Sequence, residues 1–136
     1  MTVVDPAVTR LRRVAPFRAC TDFELQFIVR RSSEHRAAPG ALLARKGATG
    51  REAGVIVEGS AMVLQDGRAV ARLGPGDFFG EIAVLDHGTR IADVQAETDV
   101  VAVVCTDQEF RQIIDECPTV ARELMVGLAR RMRSTA

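Results

Sequence analysis

A stretch whose residue types suit anion binding runs Gly74-Pro75-Gly76-Asp77-Phe78-Phe79-Gly80-Glu81-Ile82-Ala83-Val84-Leu85 and continues through Asp86-His87-Gly88-Thr89 to Arg90. Gly80 has no Cβ to keep a phosphate-like group away from the backbone. The residues that follow, Glu81 to Leu85, suit a short helix whose first N–H groups are free to point at an anion. Arg90 would supply a permanent charge and a planar fork matched to phosphate oxygens. Glu81, which only accepts hydrogen bonds when ionised, suits a hydroxyl instead. Glycine turns and a single arginine also occur in structural loops, so residue chemistry alone leaves an anion site and a plain loop both open.

Other chemistry is sparse. His35 and His87 have no Cys, His or carboxylate at metal-ligand spacing and read as surface or loop histidines. Lys46-Gly47 lacks the flanking pattern of a triphosphate-binding loop. Cys20, Cys105 and Cys117 are odd in number and scattered, which suggests neither a disulfide framework nor a zinc site and points to a reducing, cytoplasmic setting. No nucleophile stands beside a base, so Glu81 reads as a binding carboxylate and the chain as a non-enzyme with no metal.

The elements that must position this stretch can be read from periodicity. Val8, Leu11, Val14 and Ala15 follow helical spacing up to Pro16, and Thr21 with Glu24 forms a capping box ahead of a second helix. From about His35 to Cys105 short apolar runs alternate with Gly, Pro and Asp, the pattern of an all-β unit. Strands are expected at Ala41 to Arg45, Val55 to Glu58, Ala61 to Gln65, Ala69 to Leu73, Ile91 to Ala96 and Val100 to Cys105, with Asp66-Gly67 as a tight hairpin turn. Thr106 and Glu109 make a second capping box, and Pro118 opens a last helix whose Val120, Leu124, Leu128 and Met132 form an apolar stripe. Periodicity does not say whether that stripe packs on its own chain or on a second copy. All six Phe residues, Phe17, Phe23, Phe27, Phe78, Phe79 and Phe110, sit in core-like patterns.

Lys plus Arg and Asp plus Glu both total 18 in 136 residues, so no net positive field draws the chain to nucleic acid or an anionic membrane. Arg130, Arg131 and Arg133 read as partners of the last helix's dipole. Residues Met1 to Val8 carry no export signal, and no apolar run reaches spanning length, so neither export nor membrane insertion is expected.

Phe79-Gly80-Glu81-Ile82-Ala83-Val84-Leu85, with Arg90 nine positions after Glu81, resembles the phosphate-binding cassette of cyclic-nucleotide-binding domains, such as those of bacterial catabolite-activator regulators and cAMP-dependent kinase regulatory subunits. The resemblance implies a mainly β fold with flanking α-helices, a double-stranded β-helix (jelly-roll) barrel. It implies one domain over residues 1–136, with helices at about 7–31, the barrel at about 35–105 and closing helices at about 106–133. The implied ligand is cAMP, cGMP fitting less well, with no cofactor. Gly80, Ile82 and Ala83 would give backbone contacts to the phosphate, Glu81 would bind the ribose 2′-hydroxyl and Arg90 the phosphate. Ile91 and Ala92 would line the pocket, and Thr135 falls near a position that contacts the base in bacterial members. Two positions depart from the pattern: Ile91 stands where Ala, Ser or Thr is usual, and Asp93 replaces a hydroxyl-bearing or apolar residue. The implied function is a cAMP receptor that signals by moving its closing helix, to a second copy packed through that helix or to a separate output protein or domain. The alternative is a nucleotide-independent structural or dimerisation domain with a degenerate cassette.

Overall fold

Two capping boxes set helix boundaries in the computed structural model, which describes residues 5–45, 47, 52–81 and 91–134. Thr21 Oγ1 accepts from the Glu24 amide at 3.1 Å while Glu24 Oε1 accepts from the Thr21 amide at 2.9 Å, which starts α2 (Asp22–Arg30). Thr106 and Glu109 repeat the exchange at 3.2 and 2.9 Å to start α3 (Asp107–Glu116), and α4 (Pro118–Ser134) begins on its proline. The first helix, α1 (Pro6–Arg12), is shorter than its periodicity predicts. Its continuation breaks at Arg13 and resumes as a 3-10 turn, Ala15–Phe17, with Pro16 inside the first turn where a missing N–H costs nothing.

Among the described residues eight strands form two antiparallel four-stranded sheets. One has the order β1-β8-β3-β6, built from β1 (Ser33–Ala37), β3 (Glu52–Glu58), β6 (Phe78–Phe79) and β8 (Val100–Thr106). The other has the order β2-β7-β4-β5, built from β2 (Leu42–Ala44), β4 (Ala61–Gln65), β5 (Arg68–Leu73) and β7 (Asp93–Ala96). Among the described residues no ladder joins one sheet to the other, so the expected barrel is a two-sheet jelly roll with open edges. Asp66 and Gly67 both take positive φ, 53° and 77°, and join β4 to β5 as the tight turn their types predict. The expected strand at Ile91 starts two residues later, at Asp93.

The central strands β3 and β8 are apolar on both faces because both faces are covered. Ala53, Val55, Val57, Val101 and Cys105 pack with the helices, against Leu11, Phe17, Leu25, Phe110 and Val120. Ile56, Val100, Ala102 and Val104, one step out of phase, fill the space between the sheets with Leu73, Phe79 and Val94. The two residues of β6 divide in the same way, Phe78 to the helical layer and Phe79 to the inter-sheet layer. One of the six Phe residues is not core: Phe23 is 70% exposed on α2, close to the Phe27 ring that the Arg31 guanidinium covers at 3.4 Å.

Gly54 makes room for the Phe79 ring. A Cβ there would stand 2.6 Å from Phe79 Cζ and 3.0 Å from the Val103 carbonyl oxygen. Gly54→Ala is therefore expected to destabilise the fold by about 1–3 kcal/mol, the usual effect of overpacking. A shift in the urea unfolding midpoint reads it, and an unchanged midpoint would mean that the ring is not seated on Gly54.

Candidate functional site

The strand pairing of β6 fixes where Glu81 stands. Gly54 and Val55 pair with Phe79 and Phe78, and the turn before them is tied to β3 by Gly76 N to Ile56 O at 2.8 Å and Ile56 N to Asp77 O at 3.0 Å. Asp77 Oδ2 closes the same turn by accepting from the Gly74 amide at 2.8 Å. After Phe79 the chain turns at Gly80, whose φ of 76° favours glycine, and enters helical conformation at Glu81. The Glu81 carboxylate ends in the interior, with the residue only 1% exposed.

A buried carboxylate needs a donor, and α4 supplies it. Arg131 donates through Nη1 to Glu81 Oε1 and through Nη2 to the Phe78 carbonyl, so one planar fork ties the end of α4 to β6 and the residue two beyond it. The other carboxylate oxygen, Oε2, finds no donor among the described residues. Sequence reasoning had assigned Arg131 to the helix dipole and missed this pairing, which spans 50 positions of the chain. A signal was present: at ~100° per residue Arg131 returns to within ~20° of Val120's direction on the helix, inside the apolar stripe. The same geometry puts Met132 ~120° away from Val120. Met132 is accordingly 72% exposed rather than buried with the stripe.

The stripe on α4 divides in two. Val120 and Leu124 are buried in the chain's own helical core, which answers the open question of the partner for that half. Leu128, Arg131 and Met132 line a cavity of roughly 640 Å³. The rest of the wall is mostly apolar, with Ala44, Val63, Val70 and Val94 from the second sheet and Phe79 from the first. Gly80, Glu81, Ile91 and Ala92, four of the expected site residues, lie together on this wall. Ile82, Ala83, Arg90 and Thr135 lie outside the described residues, as do Lys46 and His87.

The two departures from the cassette pattern leave the cavity open. Ile91 lies at the mouth, lining the cavity while 57% exposed. Asp93 is on the opposite face of β7 from Val94 and Ala96, which pack between the sheets, and is not among the described residues that line the cavity. The three cysteines are free and buried, and burial first of all pushes Cys20 and Cys117 up to about 11 and Cys105 to about 12. They stay protonated at physiological pH and act as small apolar groups. Among the described residues no helix is long and apolar enough to cross a membrane.

The profile of the cyclic nucleotide-binding domain matches residues 34–117. The potassium/sodium hyperpolarization-activated cyclic nucleotide-gated channel 3 of Mus musculus is 34% identical over 95 residues, covering 70% of this chain and 12% of the channel. The chain thus spans a small part of that relative's length. Among solved structures, the Thermus thermophilus catabolite activator protein superposes with a TM-score of 0.75 at 26% identity, covering 88% of this chain and 59% of that one. PKAR CBD2 bound to Sp-2Cl-cAMPS gives a TM-score of 0.77 over 96% of this chain and 94% of that one, a likeness of fold alone at 16% identity.

Proposed function

The chain belongs to the cyclic nucleotide-binding domain family, and from that premise we propose that its cavity is a receptor site for cAMP. The observation that carries the reading is the Glu81 carboxylate, buried on the cavity wall with Oε2 lacking a donor among the described residues. Buried acceptors are normally satisfied, and a ribose 2′-hydroxyl donates the hydrogen bond that this oxygen lacks. The cavity volume falls within the range of small-molecule sites, and its apolar wall suits the faces of a purine. In this reading Arg90 and the backbone of Gly80, Ile82 and Ala83 hold the cyclic phosphate, and Ile91 and Ala92 flank it. Thr135 contacts the base.

The domain acts by binding and carries out no chemistry. Leu128, Arg131 and Met132 share the cavity with the ligand, so a nucleotide touches α4 directly and biases its position to the extent that its contacts differ between helix positions. A second copy or a separate output protein in the cytoplasm would read that shift.

A second reading has one observation in its favour. Arg131 already bonds to Glu81 and to the Phe78 carbonyl, so the clasp between α4 and β6 is complete from protein groups and could serve a nucleotide-independent structural domain. Titration calorimetry on nucleotide-free protein separates the two. The receptor reading expects heat with cAMP, weaker binding of 2′-deoxy-cAMP, and for Glu81→Gln a loss of about 1.5–3 kcal/mol with cAMP but less with the deoxy ligand. No heat with cAMP or cGMP would favour the structural reading, and equal losses for both ligands would remove Glu81 from the ribose.

A further inference from the structure

The cavity wall has three side chains that can hydrogen-bond among the described residues: Glu81, Arg131 and Gln65. The first two are clasped together beside β6, whereas Gln65 ends β4 on the wall formed by the second sheet. Its placement is built into the hairpin. Val63 and Gln65 are two residues apart and both line the cavity, as same-face strand neighbours do. Gln65 pairs with Arg68 across the Asp66-Gly67 turn, so its backbone is held by the tightest part of the β4–β5 hairpin. The register shift at Val63/Leu64 places its extra residue, Val70, on β5, so β4 itself runs regularly to Gln65.

We propose that Gln65 is a specificity-determining residue that reads the amino-bearing edge of a purine in this cavity and selects adenine. The inference rests on the cyclic-nucleotide reading above. A glutamine amide offers one acceptor and a two-proton donor side by side, and adenine presents an amino donor next to a ring-nitrogen acceptor, so the two edges pair twice. On the N7 side of that edge a 6-oxo purine presents two adjacent acceptors, O6 and N7, in place of adenine's N6 donor and N7 acceptor, and satisfies only one of the amide groups. On a second-sheet wall otherwise formed by Ala44, Val63, Val70, Ala71, Leu73 and Val94, no other described side chain makes that distinction.

The test is calorimetry with cAMP and with purine riboside 3′,5′-cyclic monophosphate, which lacks the 6-amino group, on wild type and Gln65→Leu. Wild type is expected to prefer cAMP by about 3- to 10-fold, the worth of a neutral hydrogen bond. Gln65→Leu should bring that ratio to near one while the melting temperature is kept. A ratio unchanged in Gln65→Leu, or a wild type that binds both ligands equally, overturns the role of Gln65 and leaves the receptor reading standing. A wild type that binds neither ligand overturns the receptor reading and this inference with it.

Discussion

Arg90→Ala is expected to weaken cAMP binding by about 2–5 kcal/mol, the range for removing one partner of a desolvated charge pair. The argument starts from the charges already on the cavity wall. Glu81 is negative and Arg131 positive, and Arg131 is committed both to Glu81 and to the Phe78 carbonyl. That pair is balanced. A cyclic phosphate brings one more negative charge into an apolar cavity, which is costly without a cation from elsewhere. Arg90, nine positions after Glu81 in the sequence and directly before Ile91 and Ala92 on the cavity wall, is the arginine we propose for this. Arg90→Lys should lose less than Arg90→Ala, since it keeps the charge but gives up the planar fork. The measurements are cAMP titration and thermal melting of each variant. Unchanged affinity in a folded Arg90→Ala protein would show that the phosphate is held by other groups.

How much of this was legible in the sequence depends on how local each cause is. The capping boxes at Thr21 and Thr106, the Asp66-Gly67 turn and the start of α4 at Pro118 are decided within four residues of chain, and the structure has them where the sequence reading did. The strand β1 was missed because four of its five residues, Ser33 to Arg36, are polar. It exists through its pairing with β8, Ser33 opposite Val104 to Ala37 opposite Val100, and its polar side chains suit an exposed edge. The two-residue β6 was not among the expected strands either, since it too exists through a long-range ladder, to β3. Phe23 was misjudged because it lies within the helical apolar run of α2, although its own direction is outward.

The candidate site divides along the same line. Gly80 and Glu81 were candidates from their residue types within the cassette, and the cavity on which they lie with Ile91 and Ala92 follows from β6 and β7 belonging to different sheets. Arg131 was not found, because what defines its role is a partner on another element rather than its neighbours in sequence. An arginine within an apolar helical stripe is the trace such a pairing leaves.

The division of α4 into a docked half and a cavity-lining half predicts that Leu124 and Leu128, one helical turn apart, respond differently to the same change. Leu124 is 4% exposed in a cluster with Phe17, Cys20, Cys117 and Val120, with no polar partner for a carboxylate among those residues. Leu124→Glu should therefore destabilise the fold by more than about 4 kcal/mol, the magnitude reserved for an unpaired charge forced into a core. Leu124→Ala gives a graded version of the same test, at about 2–5 kcal/mol. Leu128 is only partly buried at the edge of the same core and also lines the cavity, where a carboxylate can reach solvent, so Leu128→Glu should cost less stability and also weaken nucleotide binding by placing a second negative charge near Glu81. Urea unfolding of the two glutamate variants, with cAMP titration of Leu128→Glu, reads both effects. Equal stability losses at the two positions would mean that α4 is docked along its whole length, and the end of the helix would then be a fixed wall of the cavity rather than the part a ligand can move.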